Sequence, residues 1–442
     1  MTDADLKESF LNTLKTIESN TLLFYVTCIL IISFFYNLPI IKYSVTGDNE
    51  FRLYDVFGLF ALYFFYKYNK ILTIIILKIP FLKFFYWLLI WTGIMMIITF
   101  MFSIINGEGY VFLQVILYWY HLWTFFLTAL FVYLLCINPQ KRKVFIYIIL
   151  ISSVISCVIV MLQNFKIMPF LWSDAYLKAY SFYSGTLGPN KIVLGMTSLF
   201  SFVLSMAVFL EKSIKINKIL IIASITINLY IILLSGSRTT YIALLIFLLY
   251  FAIFRTFKFI FVSFVFSGLF LIIINYNPIL LKNIDDVVNN RVVAKINNIN
   301  NPKDKTDIDA LYSKLGSGRD KLTKGNFNYI LDNPQIIPFG MGFVNRYNNA
   351  PGLSAHNMYL QVIKELGLVG FVLYFGWLIS YLFINFKEFE SFSIVIKGFV
   401  LSMLVALFFG EHLYIYRPLF GVLGLFLTVT SILVSILHKN EN

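Results

Sequence analysis

The sequence predicts an all-α, polytopic membrane protein with about 12 transmembrane helices and one large extracytoplasmic loop. Three observations predict it. Of the 442 residues, 59% are hydrophobic and 13% charged, about half the charged share of soluble domains. Apolar runs of roughly 17–25 residues recur from Thr21 to Leu437, long enough to cross a hydrocarbon core of ~30 Å. These runs do not alternate apolar and polar residues, so their backbone groups must be paired within helices rather than barrel strands.

The spans are read at 21–41, 52–68, 84–105, 111–136, 144–163, 191–210, 219–235, 239–254, 259–276, 357–385, 394–411 and 418–437. The second is short and is closed by Lys67 and Lys70. The apolar stretch Ile71 to Phe81 is interrupted by Lys78 and Pro80 and reads as interfacial. The fifth follows Lys141-Arg142-Lys143, and the seventh and eighth are separated only by Ser235-Gly236-Ser237-Arg238. The chain divides into an N-terminal transmembrane bundle (1–276), a loop (277–355) and C-terminal transmembrane helices (356–442). Within the loop, Gly318 to Leu331 spaces Leu322, Phe327, Ile330 and Leu331 near one helical face, and Asp332-Asn333-Pro334 stops it. That pattern predicts a short amphipathic helix lying over the outer mouth of the bundle.

Orientation follows from the distribution of basic residues. With the N-terminus in the cytoplasm, inner segments hold 17 Lys and Arg against 7 in the short outer segments. Both termini are therefore expected inside and the loop outside. The first 20 residues lack the pattern of a cleavable signal peptide. The formal charge of +13 suits anionic headgroups, so membrane lipids rather than nucleic acid are the expected partners. Cys28, Cys136 and Cys157 fall in apolar spans, with neither disulfide nor zinc spacing.

Chemistry must come from what the outer face offers. His356 sits where the loop re-enters a span, and imidazole titrates near pH 6.5, suiting it to take or orient a hydroxyl proton. The plainer role is a neighbour of the helix cap. Arg238 closes a tight outer hairpin; it either snorkels to headgroups or offers a guanidinium fork to phosphate oxygens. Arg319 follows Gly316-Ser317-Gly318 at a predicted helix start, where Gly318 permits close backbone approach and the helix dipole favours an anion. His412, between Glu411 and Arg417, belongs to the same outer end. His121 lies mid-span beside Trp119 and Trp123 and reads as a satisfied interhelical group. The loop carries no glutamate, and Asp320 and Asp332 stand apart. No metal and no cofactor is expected, and negative charge on a leaving group falls to Arg238 and Arg319.

Together these segments form a pattern: His356-Asn357, nine residues, then Gly367-Leu368-Val369-Gly370; the hairpin at Ser237-Arg238; Arg319 followed by Asn333-Pro334 and Gly340-Met341-Gly342; and more weakly Gly188-Pro189-Asn190. The chain resembles the bacterial O-antigen ligase and O-antigen polymerase superfamily of membrane glycosyltransferases over about residues 180–385. The resemblance implies a GT-C-like fold in the cytoplasmic (inner) membrane, with the active site on its extracytoplasmic side. It implies transfer of a glycan from undecaprenyl pyrophosphate to an acceptor hydroxyl, without nucleotide sugar or metal. His356, Arg238 and Arg319 are then the expected catalytic residues, and Asn357, Asn190, Gly318, Arg417 and His412 the expected substrate-binding ones. A polymerase of capsule, O-antigen or exopolysaccharide repeat units is favoured, with a chain-length regulator and a flippase as partners. A ligase acting on lipid A–core remains open, as does a flippase for lipid-linked glycans, against which stands the missing repeat symmetry.

Overall fold

The computed structural model describes residues 14–42, 50–105, 107, 110–172, 183–211, 214–254, 268, 319–345, 355–385, 390–414 and 421–435. The predicted span 259–276, apart from Gly268, and the loop residues before Arg319 lie outside this set. Among the described residues the architecture is helical. The exception is a two-residue antiparallel pair, β1 (Ile41–Lys42) with β2 (Glu50–Phe51).

Helix α1 (Thr21–Ser33) is followed by α2 (Leu53–Lys67), α3 (Asn69–Lys78), α4 (Pro80–Ile105) and α5 (Tyr110–Leu135). Then come α6 (Pro139–Asn164), α7 (Lys191–Leu210), α8 (Lys218–Ser235) and α9 (Arg238–Phe254). After the loop come α10 (Arg319–Asp332), α11 (Ile336–Phe339), α12 (Met358–Ser380), α13 (Glu390–Ala406) and α14 (Val422–Val434). Seven described helices are long and apolar enough to cross a membrane, and eight if the bent pair α2–α3 is one span. Helices α1, α9 and α14 are apolar but shorter. Each predicted span other than 259–276 thus coincides with an apolar helix.

Asparagine starts many of these helices. Asn20, Asn138, Asn190, Asn217 and Asn357 each accept a first-turn backbone N–H of α1, α6, α7, α8 and α12, satisfying donors a helix start leaves orphaned. The α6 cap, with Pro139 at the first helical position, begins that helix earlier than the 144 read from hydropathy. Helix α1 stops at Ser33, short of the expected 41. Pro39 cannot continue a helix, and Asn37 turns away to bond Thr186 and Leu187 of another segment. The stretch read as interfacial is α3, which leaves α2 at 91° and ends before Pro80 opens α4.

Helices α7 and α14 are buried almost throughout and form the centre, while α4, α6 and α12 turn apolar residues outward. In a bilayer, apolar contact alone gives helices little reason to associate, so small residues and buried hydrogen bonds hold them. Gly398 of α13 receives the Tyr250 and Phe247 rings of α9, and Gly376 of α12 receives Phe84 of α4. Between α6, α7 and α8, Asn228 accepts from Ser153 (2.7 Å) and donates to the Ser224 carbonyl (2.8 Å), and Ser224 meets Ser205 at 2.9 Å.

Candidate functional site

The loop ends in a knot around a break in α12. Gly367 has φ 67° and ψ −167° inside that helix, a conformation essentially restricted to glycine. The break frees the carbonyls just before it. Lys364 O accepts from Met341 N (2.9 Å), Glu365 O from Gly342 N (3.0 Å), and Leu366 O from the Trp91 indole of α4 (2.8 Å). The segment Gly340-Met341-Gly342 is therefore seated in the break. Gly340 and Gly342 also have positive φ (85° and 117°). A Cβ at Gly340 would fall on the Glu365 backbone, and one at Gly367 on the backbone of Phe339. The two glycine motifs, more than twenty residues apart in sequence, are the two halves of one interlocking contact.

Beneath it lies a buried polar cluster that the sequence reading did not single out. The Glu365 carboxylate accepts from Gln361 Nε2 (2.5 Å), Val344 N (3.0 Å) and Tyr414 Oη (2.5 Å). Lys364 Nζ donates to Asn326 Oδ1 of α10 at 2.7 Å. Gln361 Oε1 accepts from Ala355 N at 3.1 Å, and Thr323 of α10 donates to Ala355 O at 3.0 Å. Glu365, Lys364 and Gln361 are all buried. The available signal was two charges, Lys364 and Glu365, inside an apolar span, where ionisable groups mark sites or fixed contacts.

His356 stands at the edge of this cluster. It is half-buried and has φ 49°, and its backbone N–H donates to Glu411 Oε1 at 3.1 Å. It is not the cap of α12. That role belongs to Asn357, which is buried and whose Oδ1 accepts from Tyr359 N (2.9 Å) and Leu360 N (3.3 Å). The Glu411 contact draws in His412, which is buried with its ring packed over Gly410. His356, Asn357 and His412 are thus brought together with Glu411, Tyr414 and Glu365.

Arg238 opens α9 directly after the turn formed by Gly236 (φ 60°) and Ser237. Helices α9 and α13 pack at Tyr250 against Gly398. Asn190 caps α7 through Ile192 N (2.8 Å). One turn on, Gly195 abuts Thr240 and Ser235 of the Arg238 hairpin. Arg319 starts α10, though its side chain, together with Gly318 and Arg417, lies outside the described residues. The amphipathic helix is present, but its faces differ from expectation. Asn326 and Ile330 point inward while Phe327 and Leu331 are exposed, because Asn326 meets the Lys364 ammonium.

A second buried polar group joins α2 and α5. His121 Nε2 lies 2.6 Å from Asp55 Oδ1, Arg52 N donates to Asp55 Oδ2 (2.7 Å), and Arg52 Nε donates to Asn37 O (3.1 Å). Arg52, Asp55 and His121 are all buried. The interhelical role expected for His121 is realised with Asp55 as its partner.

Residues 219–375, from α8 through α12, match the family model described as O-antigen ligase. That match supports membership of the O-antigen ligase and polymerase superfamily. It spans Arg238, Arg319 and His356 together with the interlocked glycines. A membrane glycan function of the ligase or polymerase type accompanies the family. No curated protein matches the chain.

Proposed function

We propose that this protein is a polymerase that joins undecaprenyl-pyrophosphate-linked oligosaccharide repeat units on the outer face of the cytoplasmic membrane, with both termini inside. The observation that supports a membrane glycan transferase of the ligase or polymerase type is the family match, whose span contains all three candidate catalytic residues. In this reading His356 accepts the proton of the acceptor hydroxyl as its oxygen bonds the donor's reducing-end carbon. The bond from that carbon to the pyrophosphate oxygen breaks, and Arg238 and Arg319 meet the charge that develops on the departing undecaprenyl pyrophosphate. No metal is needed for these roles. In this reading Glu411 holds the His356 backbone N–H while Asn357 caps α12, which fixes His356 at the loop–helix junction.

A ligase reading, with lipid A–core as acceptor, is favoured by the description of the family model. One experiment addresses both. Purified protein in proteoliposomes receives lipid-linked repeat units, with or without lipid A–core. Ladders of lengthened lipid-linked glycan without the core acceptor support the polymerase. Transfer only when the core is present supports the ligase, and no transfer in either case removes both.

A further inference from the structure

The stretch from α11 to Asn345 was expected in the outer loop, yet it bonds to backbone carbonyls of two apolar helices, Met95 of α4 and Lys364 and Glu365 of α12. We propose that Ile336–Asn345 is a re-entrant segment, sunk into the loop-side hydrocarbon, and that the surface it presents there is covered by bilayer acyl chains.

Depth comes from the helices that hold it. Helices α4 and α12 meet near their opposite ends, where Phe81 stacks on Tyr381 at 4.9 Å, between Lys78 and Lys83. Such flanking lysines mark a membrane boundary. Ten residues from Phe81 to Trp91 amount to about 15 Å of helix, and thirteen from Ser380 to the break at Gly367 to about 20 Å. The Trp91–Leu366 hydrogen bond therefore lies inside a hydrocarbon layer ~30 Å thick. Phe339 packs against Trp91 at that level, with ring centroids 6.2 Å apart.

Two further observations agree. Phe339 is 58% exposed, and the two helices that hold it also expose apolar residues, Trp87 and Ile94 of α4 and Leu368 and Val372 of α12. In the proposed placement these side chains and Phe339 all face acyl chains. The backbone is also satisfied without water. From Gly340 to Asn345 every N–H donates to an acceptor within the protein: Ile336 O, Lys364 O, Glu365 O, Met95 O, Glu365 Oε2 and Gly342 O in turn. Irregular chain at a water surface leaves some donors to solvent, whereas irregular chain at membrane depth must pair them. The segment thus forms the hydrocarbon-side wall of the Glu365 cluster, a placement that does not depend on the glycosyltransferase reading.

The test is spin-label accessibility in nanodiscs, with Cys28, Cys136 and Cys157 replaced by Ala. Labels go at Phe339→Cys, at Ile97→Cys as a lipid-facing reference, and at Lys324→Cys on α10 as a water-side reference. The Phe339 label should match Ile97, with relaxation by oxygen strong and relaxation by a polar nickel chelate several-fold weaker than at Lys324. Nickel accessibility closer to that at Lys324 overturns the proposal. Pro338→Cys, also exposed, gives the same reading should the Phe339 variant fail to fold.

Discussion

Gly367→Ala is expected to be among the most damaging single-methyl additions in this chain. The new Cβ would fall on the Phe339 backbone, with Pro338 O at 2.5 Å. Neither neighbour is the end of a flexible side chain. The φ 67°, ψ −167° geometry adds about 1–3 kcal/mol of backbone strain for a non-glycine residue. Relief requires α11 to lift away, which breaks the Met341–Lys364 and Gly342–Glu365 backbone bonds, worth about 0.5–1.5 kcal/mol net each. The total is roughly 2–6 kcal/mol. Gly236→Ala is the matched control, because Gly236 also has positive φ but an added Cβ meets nothing within 4 Å. Its cost is limited to the left-handed penalty of about 1–2 kcal/mol. The assay compares membrane-inserted yield and thermal stability in detergent for the two variants. If Gly367→Ala is no less stable than Gly236→Ala, the motif does not lock the loop into the break and the interlocking contact is wrong.

His356→Ala should lower glycan transfer by about 10²–10⁴-fold at normal expression. His356→Asn keeps a residue type that tolerates φ 49°, so near wild-type polymer from it would make His356 structural. Arg238→Ala and Arg319→Ala should each reduce transfer by about 10²–10³-fold. Lysine should rescue poorly for want of the fork, and full activity in the double Lys variant would reduce both to generic positive charge. Asp55→Ala and His121→Ala should each destabilise by about 1–3 kcal/mol, since either leaves a buried polar partner short of a hydrogen bond. The double variant should cost less than the sum, and simple additivity in detergent melts would deny the pair.

Membrane class, the run of apolar helices and the tight Ser-Gly-Ser hairpin are all legible in the amino-acid order. Each depends on local quantities: apolar length against bilayer thickness, Asn and Pro at helix starts, glycine at a left-handed turn. The motif residues His356, Gly367 and Gly340 were likewise visible as a pattern. Their physical meaning was not, because Gly367 matters through the backbone of Phe339, twenty-eight residues earlier. Glu365 reads in the sequence as one charge in an apolar span; only the packing reveals donors from α12, the loop and Tyr414 converging on it. Asp55 and His121 read as separate residues until α2 and α5 pair them. The inward turn of Asn326 shifted the buried face of α10, keeping Ile330 inside but leaving Phe327 and Leu331 exposed, since a buried ammonium outweighs the apolar periodicity of an isolated helix. Local chemistry chose the helices, and long-range polar pairing in a medium without water chose how they meet.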